Sequence, residues 1–434
     1  MLDIKFIREN PEEVKKALKN RSANFDVDYL LQLDEKRRGK IKEVDDLRAH
    51  QNTLSEEIQK LKGDAKTHKV EESRGLKVKL GEAEFELKAL DAEFYASMRK
   101  IPNMPLESVP VGKDEWENKV LREVGKKPKF KFAPKDYMEI AVDLDLIDTE
   151  RAAKVSGSRF GYIKNEAALL EFALVQLAFE RLTKHEFVPV VPPVLIKEEM
   201  MRGMGYVDSE NDLAERYCFP EDKQFLVGTS EQSVGPMHKD EVFKEDELSK
   251  RYAAFSTCFR REAGSYGKDT HGILRVHQFD KIEMFSFAKP EDSVGEHELL
   301  LKMEEELMQA LELPYRVVAL CTGDLSQPSA ATFDIEAWLP GQNNGKGEYR
   351  ETHSSSNTTD YQARRLNVKY RSKTGKAEFV HMLNGTAFAI GRMLIAIIEN
   401  YQQEDGSVEI PKVLQKYMGG IKIINKKQET SSKN

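Results

Sequence analysis

From Asp28 to Ile101 apolar residues recur in alternating steps of three and four. Val44, Leu47, Leu54, Ile58 and Leu61 mark the first half of the series, with Gln51 among them. Leu76, Leu80, Ala83, Leu87, Leu90, Phe94 and Ile101 mark the second, with Ser97 in the remaining place. A narrow heptad seam of this kind is what one helix presents to another, so the stretch predicts two long packed helices. No proline falls in it before Pro102, and Gly63, in KGDAKTHK (62–69), breaks the period and allows reversal. The expectation is an antiparallel helical hairpin, with ~30 residues per helix reaching roughly 45 Å, too long to lie within a compact core. A shorter helix, opened by Asn10-Pro11, precedes it.

Farther along, the period changes to two. Phe255 to Phe259 and His277 to Phe287 read as strands, with Phe279, Lys281, Glu283 and Phe285 on one face of the second. Arg260, Arg261 and Glu262 follow the first strand directly, and Gly264, Gly267 and Gly272 let the connecting loop turn sharply. A hairpin loop this long is more often functional than connective, although a solvated surface loop would carry the same charges. Charges on a strand that is otherwise apolar call for a charged ligand. Pro102, Pro105 and Pro110, in IPNMPLESVPVGKDEWEN (101–118), mark a linker. The expected domains are therefore 1–110, with the helical arm over about 28–101, and 111–434, ending in a polar tail over about 426–434 that should be disordered.

Composition narrows the function classes. The 434 residues are 40% hydrophobic and 32% charged, as in a soluble globular protein. The N-terminus MLDIKFIRENPEE lacks an apolar signal region, and no apolar run approaches the ~20 residues of a membrane span, so no membrane partner and a cytoplasmic location are expected. Cys218, Cys258 and Cys321 are isolated, which predicts a reducing compartment and no zinc site. A net charge of -7 excludes a generally nucleic-acid-binding surface, so any RNA contact must use a local basic patch. The arm has one, in Lys60, Lys62, Lys66, His68, Lys69, Arg74, Lys77 and Lys79. On pattern alone a dimerisation coiled coil explains the arm more simply; the lysines suit a phosphate backbone.

The loop and its strands, FRREAGSYGKDTHGILRVHQFDKIE (259–283), resemble the second motif of class II aminoacyl-tRNA synthetases, in the form typical of seryl-tRNA synthetases. PVVPPVLIKEEMMRGMG from Pro189 resembles the first motif, and HMLNGTAFAIGRMLIAIIENYQ from His381 the third, in the same order. The resemblance implies an α+β fold: an antiparallel sheet flanked by helices, preceded by a tRNA-binding coiled-coil arm. It also implies L-serine, ATP and Mg²⁺ in the site, and tRNA(Ser) as partner, with tRNA(Sec) as an optional second acceptor. Motif 1, around Pro192 and Pro193, implies a homodimer in which the arm of one subunit presents tRNA to the other. Lys62, Lys66, Lys69, Arg74 and Lys77 are the arm residues placed at the tRNA.

The same resemblance distributes roles over the site. Arg260 would touch the substrate carboxylate and the α-phosphate, and Arg392 the γ-phosphate; both are assigned to catalysis, since arginine holds anions bidentately without losing its proton. Glu262 would meet the adenine amino group and Phe279 its ring, with Arg261 and Val276 completing the nucleotide pocket. Thr229, Ser230 and Glu231, in GTSEQ (228–232), would hold the ammonium side of serine; Glu283, Thr386 and Asn384 would lie around its hydroxyl, which buried polar groups select best. Glu351, Thr352, His353 and Ser354, in YRETHSSSN (349–357), are assigned to the nucleotide, with Glu351 and Ser354 at Mg²⁺. Two residues depart from the pattern. His353 stands where serine is usual, and His271 where arginine commonly lies near the γ-phosphate, a loss that Lys268 could offset.

Other readings fit less well. GQNNGKGE around Lys346 lacks P-loop spacing and reads as a turn. A class II relative that loads amino acids onto a carrier protein would lack the long arm and carry a zinc-binding cysteine. An inactive paralogue serving as a binding module would not need Arg260, Glu262, Glu283, Glu351 and Arg392 together.

Overall fold

The computed structural model describes residues 1–263 and 271–426; Gly264, Gly267, Lys268 and the expected tail beyond Lys426 lie outside them. The chain divides into two units, Met1–Pro102 and Asn103–Asn434. Residues 103–110 belong to the second, where the Asn103 and Leu106 amides donate to the carbonyls of Gln327 and Ala330 and the Pro110 carbonyl accepts from Thr322.

In the first unit, helix α1 spans Val27–Lys60 and α2 spans Asp64–Lys100. Asp26 caps α1 by accepting the Tyr29 amide at 2.9 Å. At 34 residues α1 is about 50 Å long. The reversal falls on Gly63, whose φ of 64° lies in the left-handed region that favours glycine. Along the seam Val44 packs with Leu80 and Ala83, flanked by Leu47 and Leu87. Charges across it follow an antiparallel register: Lys40 with Glu86 at 2.6 Å, Arg48 with Glu84 at 2.7 Å and Lys69 with Glu57 at 3.4 Å. Such exposed pairs are worth about 0–1 kcal/mol each, so the apolar seam holds the hairpin and the charges select its register. The helix expected at Asn10-Pro11 is Pro11–Asn20.

The second unit is built on an eight-stranded sheet of β1 (Lys119–Val124), β2 (Phe187–Val190), β3 (Lys250–Phe259), β4 (Gln278–Ala288), β5 (Tyr315–Ala319), β6 (Ala331–Leu339), β7 (Glu348–Asn357) and β8 (His381–Ala389). Their order is β1-β5-β6-β7-β8-β4-β3-β2. The pairings are antiparallel except β2 with β3. Helices α3 (Thr149–Ser156), α4 (Asn165–Leu182), α5 (Ser293–Ala310) and α6 (Ile390–Asn400) accompany it. The main core joins Leu170 and Leu174 of α4, Leu300 and Leu307 of α5 and Leu394 and Ile397 of α6 to Ile282, Met284, Leu383 and Ala387 of the sheet. That face is covered, and alternation sends the residues between these to the other. Around Lys346 the glycine-rich stretch is a turn, with Asn343 and Asn344 at φ 54° and 55°. Among the described residues no helix is long and apolar enough to cross a membrane.

Candidate active site

Strand β4 sets the floor of the site. Its alternation turns Phe279, Lys281 and Glu283 away from the helix-covered core, and Asn384 and Thr386 on β8 and Ser354 and Ser356 on β7 face the same way. Strict alternation would hide Glu351 behind the sheet. A bulge prevents this: Ile335 pairs with His353 but Glu336 with Glu351, leaving Thr352 as an extra residue and turning both Glu351 and Thr352 to the front. With Arg260 just past β3, Thr229 and Glu231 from the 228–232 turn, and Arg392 from the first turn of α6, these side chains line a cavity of about 560 Å³.

The charges on β4 find partners within the protein. Lys281 and Glu283 form a buried ion pair, and the Thr386 hydroxyl donates to the same Glu283 oxygen at 3.4 Å. Glu231, buried beside them, accepts the Tyr206 hydroxyl. Burial, reinforced by the charge of Glu283, pushes the Glu231 carboxyl up to about 7, although Lys281, Tyr206 and Arg260 pull it down. Arg260 donates through Nε to the Gly228 carbonyl at 3.1 Å, and its guanidinium stands 5.3 Å from the centre of the Phe279 ring. Nearby, the Arg216 Nε, the Thr229 hydroxyl and the Gln232 Nε2 are buried without a hydrogen-bond partner among the described residues. Such groups are costly unless a ligand satisfies them.

At the other end of the cavity Arg392 Nη1 donates to the Glu351 carbonyl at 2.8 Å and lies 3.1 Å from its carboxylate. Burial favours the neutral acid there, but Arg392 and then Arg260 outweigh it and hold Glu351 below the usual carboxylate range. Half of the Glu351 side chain still faces open cavity. Together with the Ser354 hydroxyl it offers hard oxygen donors of the kind a small divalent cation takes, although among the described residues no group of three histidine, cysteine, aspartate or glutamate side chains gathers to hold one. Glu262 is engaged by Arg275 at 2.9 Å, and Val276 lines the wall between Arg275 and Phe279.

Three residues assigned from sequence do not reach the cavity. The Ser230 hydroxyl donates to the Ala254 carbonyl at 3.2 Å, tying the turn to β3. The Arg261 guanidinium lies outside, donating to the Arg216 carbonyl at 2.9 Å and stacking over Tyr217. His353 is on the hidden phase of β7, 2.8 Å from the Thr352 hydroxyl and against Phe388, where burial pushes its imidazole down to about 3. His271 is exposed, and its carbonyl accepts from Tyr137. Conversely Tyr206, Arg216, Gln232, Arg275, Ser326 and Ser356 line the cavity without having been assigned. Period two on β7 would have found Ser356, whereas Tyr206 and Arg216 come from irregular chain with no pattern to read.

Comparison with known proteins covers the whole chain. Residues 217–401 match the family model of the tRNA synthetase class II core domain (G, H, P, S and T), and residues 1–105 that of the seryl-tRNA synthetase N-terminal domain. The serine–tRNA ligase of Dictyoglomus thermophilum is 47% identical over 430 residues, covering 98% of this chain and 100% of the relative. That of Treponema denticola is 43% identical over 424 residues, covering 98% and 100%. Among solved structures, the seryl-tRNA synthetase of Pyrococcus horikoshii complexed with ATP superposes with a TM-score of 0.89 at 41% identity, covering 99% of this chain and 100% of that one. The cytoplasmic serine–tRNA ligase of Naegleria fowleri in complex with AMP gives 0.85 at 35% identity, covering 99% of each.

Proposed function

The chain belongs to the seryl-tRNA synthetase family, and from that premise we propose how its cavity joins serine to tRNA through an adenylate. The reaction is serine–tRNA ligation. The observation that carries the assignment of ends is the separation of free polar groups. The unpartnered Thr229 hydroxyl and Arg216 Nε gather beside Glu231, whereas Arg392 and the ionised Glu351 stand at the opposite end.

Serine lies with its ammonium against Glu231 and Thr229, its hydroxyl toward Glu283, Thr386 and Asn384, and its carboxylate on Arg260. ATP stacks its adenine on Phe279, beside the Glu262–Arg275 pair and Val276, and extends its phosphates past Arg260 to Arg392. Thr352 borders the nucleotide. Glu351 and Ser354 would hold Mg²⁺, which when bound neutralises phosphate charge. A serine carboxylate oxygen attacks the α-phosphorus in line, the bond to the bridging oxygen breaks, and pyrophosphate leaves. Arg260 contacts both reacting anions and so counters their repulsion as charge develops. The 3′-terminal adenosine hydroxyl of tRNA then attacks the acyl carbonyl and AMP departs. Alignment and fixed charge carry the first step without a protein nucleophile.

The unit Met1–Pro102 serves as the tRNA-binding domain and Asn103–Asn434 as the catalytic domain, a boundary eight residues before the one expected from sequence. The arm meets tRNA(Ser) through Lys62, Lys66 and Lys77, with Lys69 and Arg74 contributing from within pairs to Glu72 and Glu71. The working form is a homodimer of cytoplasmic location, and tRNA(Sec) is a second acceptor. No observation favours transfer to a carrier protein or an inactive binding module. Serine-dependent ATP–pyrophosphate exchange tests the reading: Arg260→Ala should lower it by roughly 10²–10³. Exchange that proceeds equally without serine would overturn it.

A further inference from the structure

Behind the wall that carries Phe279 lies a second cavity, of about 220 Å³, lined in part by the exposed Ser156 of α3. Its lining is mostly apolar, including Phe160, Ile163, Ile390 and Leu394, and among the described residues no lysine, arginine or histidine contributes. Two carboxyls nevertheless enter it, Glu171 from α4 and Asp280 from β4, and they hydrogen-bond each other. Oδ1 of Asp280 is buried and receives no N–H or hydroxyl donor among the described residues. Burial, then the bond to Asp280 and its charge, pushes the Glu171 carboxyl up to about 8. The recess thus presents an acidic pair to which, among the described residues, no cationic side chain on the lining answers. Both side chains are only partly buried, yet carboxyls held against an apolar lining without a cationic partner are costly, and a ligand that supplies positive charge relieves that cost.

We propose that this recess is a binding site for a small organic monocation: an ammonium group seated on the Glu171–Asp280 pair, carrying a compact apolar body into the lining. The chemistry selects against simpler occupants. Two carboxyls alone supply too few oxygen ligands for a divalent cation, and a neutral apolar molecule would leave them unmatched. Phe160 and Tyr162 add aromatic faces that favour an ammonium over an alcohol of the same shape. Ile273, Val276, Phe279 and Gly391 line this cavity and the larger one alike, so occupancy of one changes the wall of the other.

Calorimetric titration of the full chain with phenethylamine and, separately, with 2-phenylethanol tests the assignment. The amine should bind saturably and at least about tenfold more tightly than the alcohol, the margin of a charge-assisted hydrogen bond. The Glu171→Gln/Asp280→Asn double variant should remove that preference. Ser156→Trp, at an exposed position of α3 on the cavity's lining, should fill the recess and abolish binding. Equal affinity for amine and alcohol, absence of saturable amine binding, or binding unchanged in both variants would each overturn the proposal.

Discussion

The Tyr206 hydroxyl holds a carboxylate that its surroundings push toward neutrality. Glu231 at about 7 lies well above the carboxylate range of an unfolded chain, so between about 4.5 and 7 the folded protein keeps a proton that the unfolded chain releases. Stability therefore falls as pH rises through that window, while the charge needed for an ammonium appears over the same range. Serine affinity in pyrophosphate exchange should accordingly strengthen as pH rises through about 7. Tyr206→Phe removes a bond that favours the carboxylate, so the midpoint should move to higher pH and the serine Michaelis constant at pH 7 should rise by about tenfold. An unmoved pH profile would show the hydroxyl to be structural only. His271 is exposed, so His271→Arg should be tolerated and, by adding a fixed positive charge, lower the Michaelis constant for ATP about two- to fivefold. Strand alternation made Phe279, Lys281 and Glu283 readable in sequence. It could not show that Lys281 and Glu283 neutralise each other: the two-residue spacing puts them on one face, but only the burial of that face by the surrounding structure drives them together.

Among elements, β7 and β8 show where periodicity stops being sufficient. Reading β7 in one phase would place Thr352, Ser354 and Ser356 together and exclude Glu351, and the bulge at Thr352 is invisible without its partner β6. The long helices and the β3–β4 hairpin were legible because each has enough repeats to reveal its period; β3 nevertheless begins at Lys250, before the predicted Phe255. Behind the cavity, Gly385 of β8 leaves room for the wholly buried Glu304 of α5. A Cβ there would stand 3.1 Å from Glu304 Oε1, 3.2 Å from the Ser355 Cβ and 3.3 Å from the Met284 Cε. Gly385→Ala should thus cost about 1–3 kcal/mol in overpacking, read as a lower denaturant midpoint with an unchanged slope. A neutral result would mean that α5 can retreat from the sheet.

For the whole molecule, the proposed division of labour between the two units can be separated by measurement. Lys62, Lys66 and Lys77 are exposed and have no ion-pair partner among the described residues, whereas Lys69 and Arg74 are already paired to acids of the arm. Charge reversal of the three free lysines should leave pyrophosphate exchange intact, weaken tRNA charging, and flatten the dependence of tRNA affinity on log salt by about 0.7–0.9 per lost contact. Unaltered charging would remove the arm from RNA recognition. The proline-rich stretch leads the sequence reading to a boundary at 110, whereas the compact units meet at Pro102 and Asn103; the hydrogen bonding of residues 103–110 to the larger unit is a tertiary fact that composition does not contain. The strand order has a consequence in time. β8 lies between β4 and β7, and Arg392 follows it, so the last strand of the eight-stranded sheet to leave the ribosome completes the cavity. About a hundred residues separate the end of β4 from Arg392, on the order of 5–20 s of synthesis. A nascent or prematurely terminated chain that stops short of Arg392 therefore has an arm and most of a sheet, but no working site.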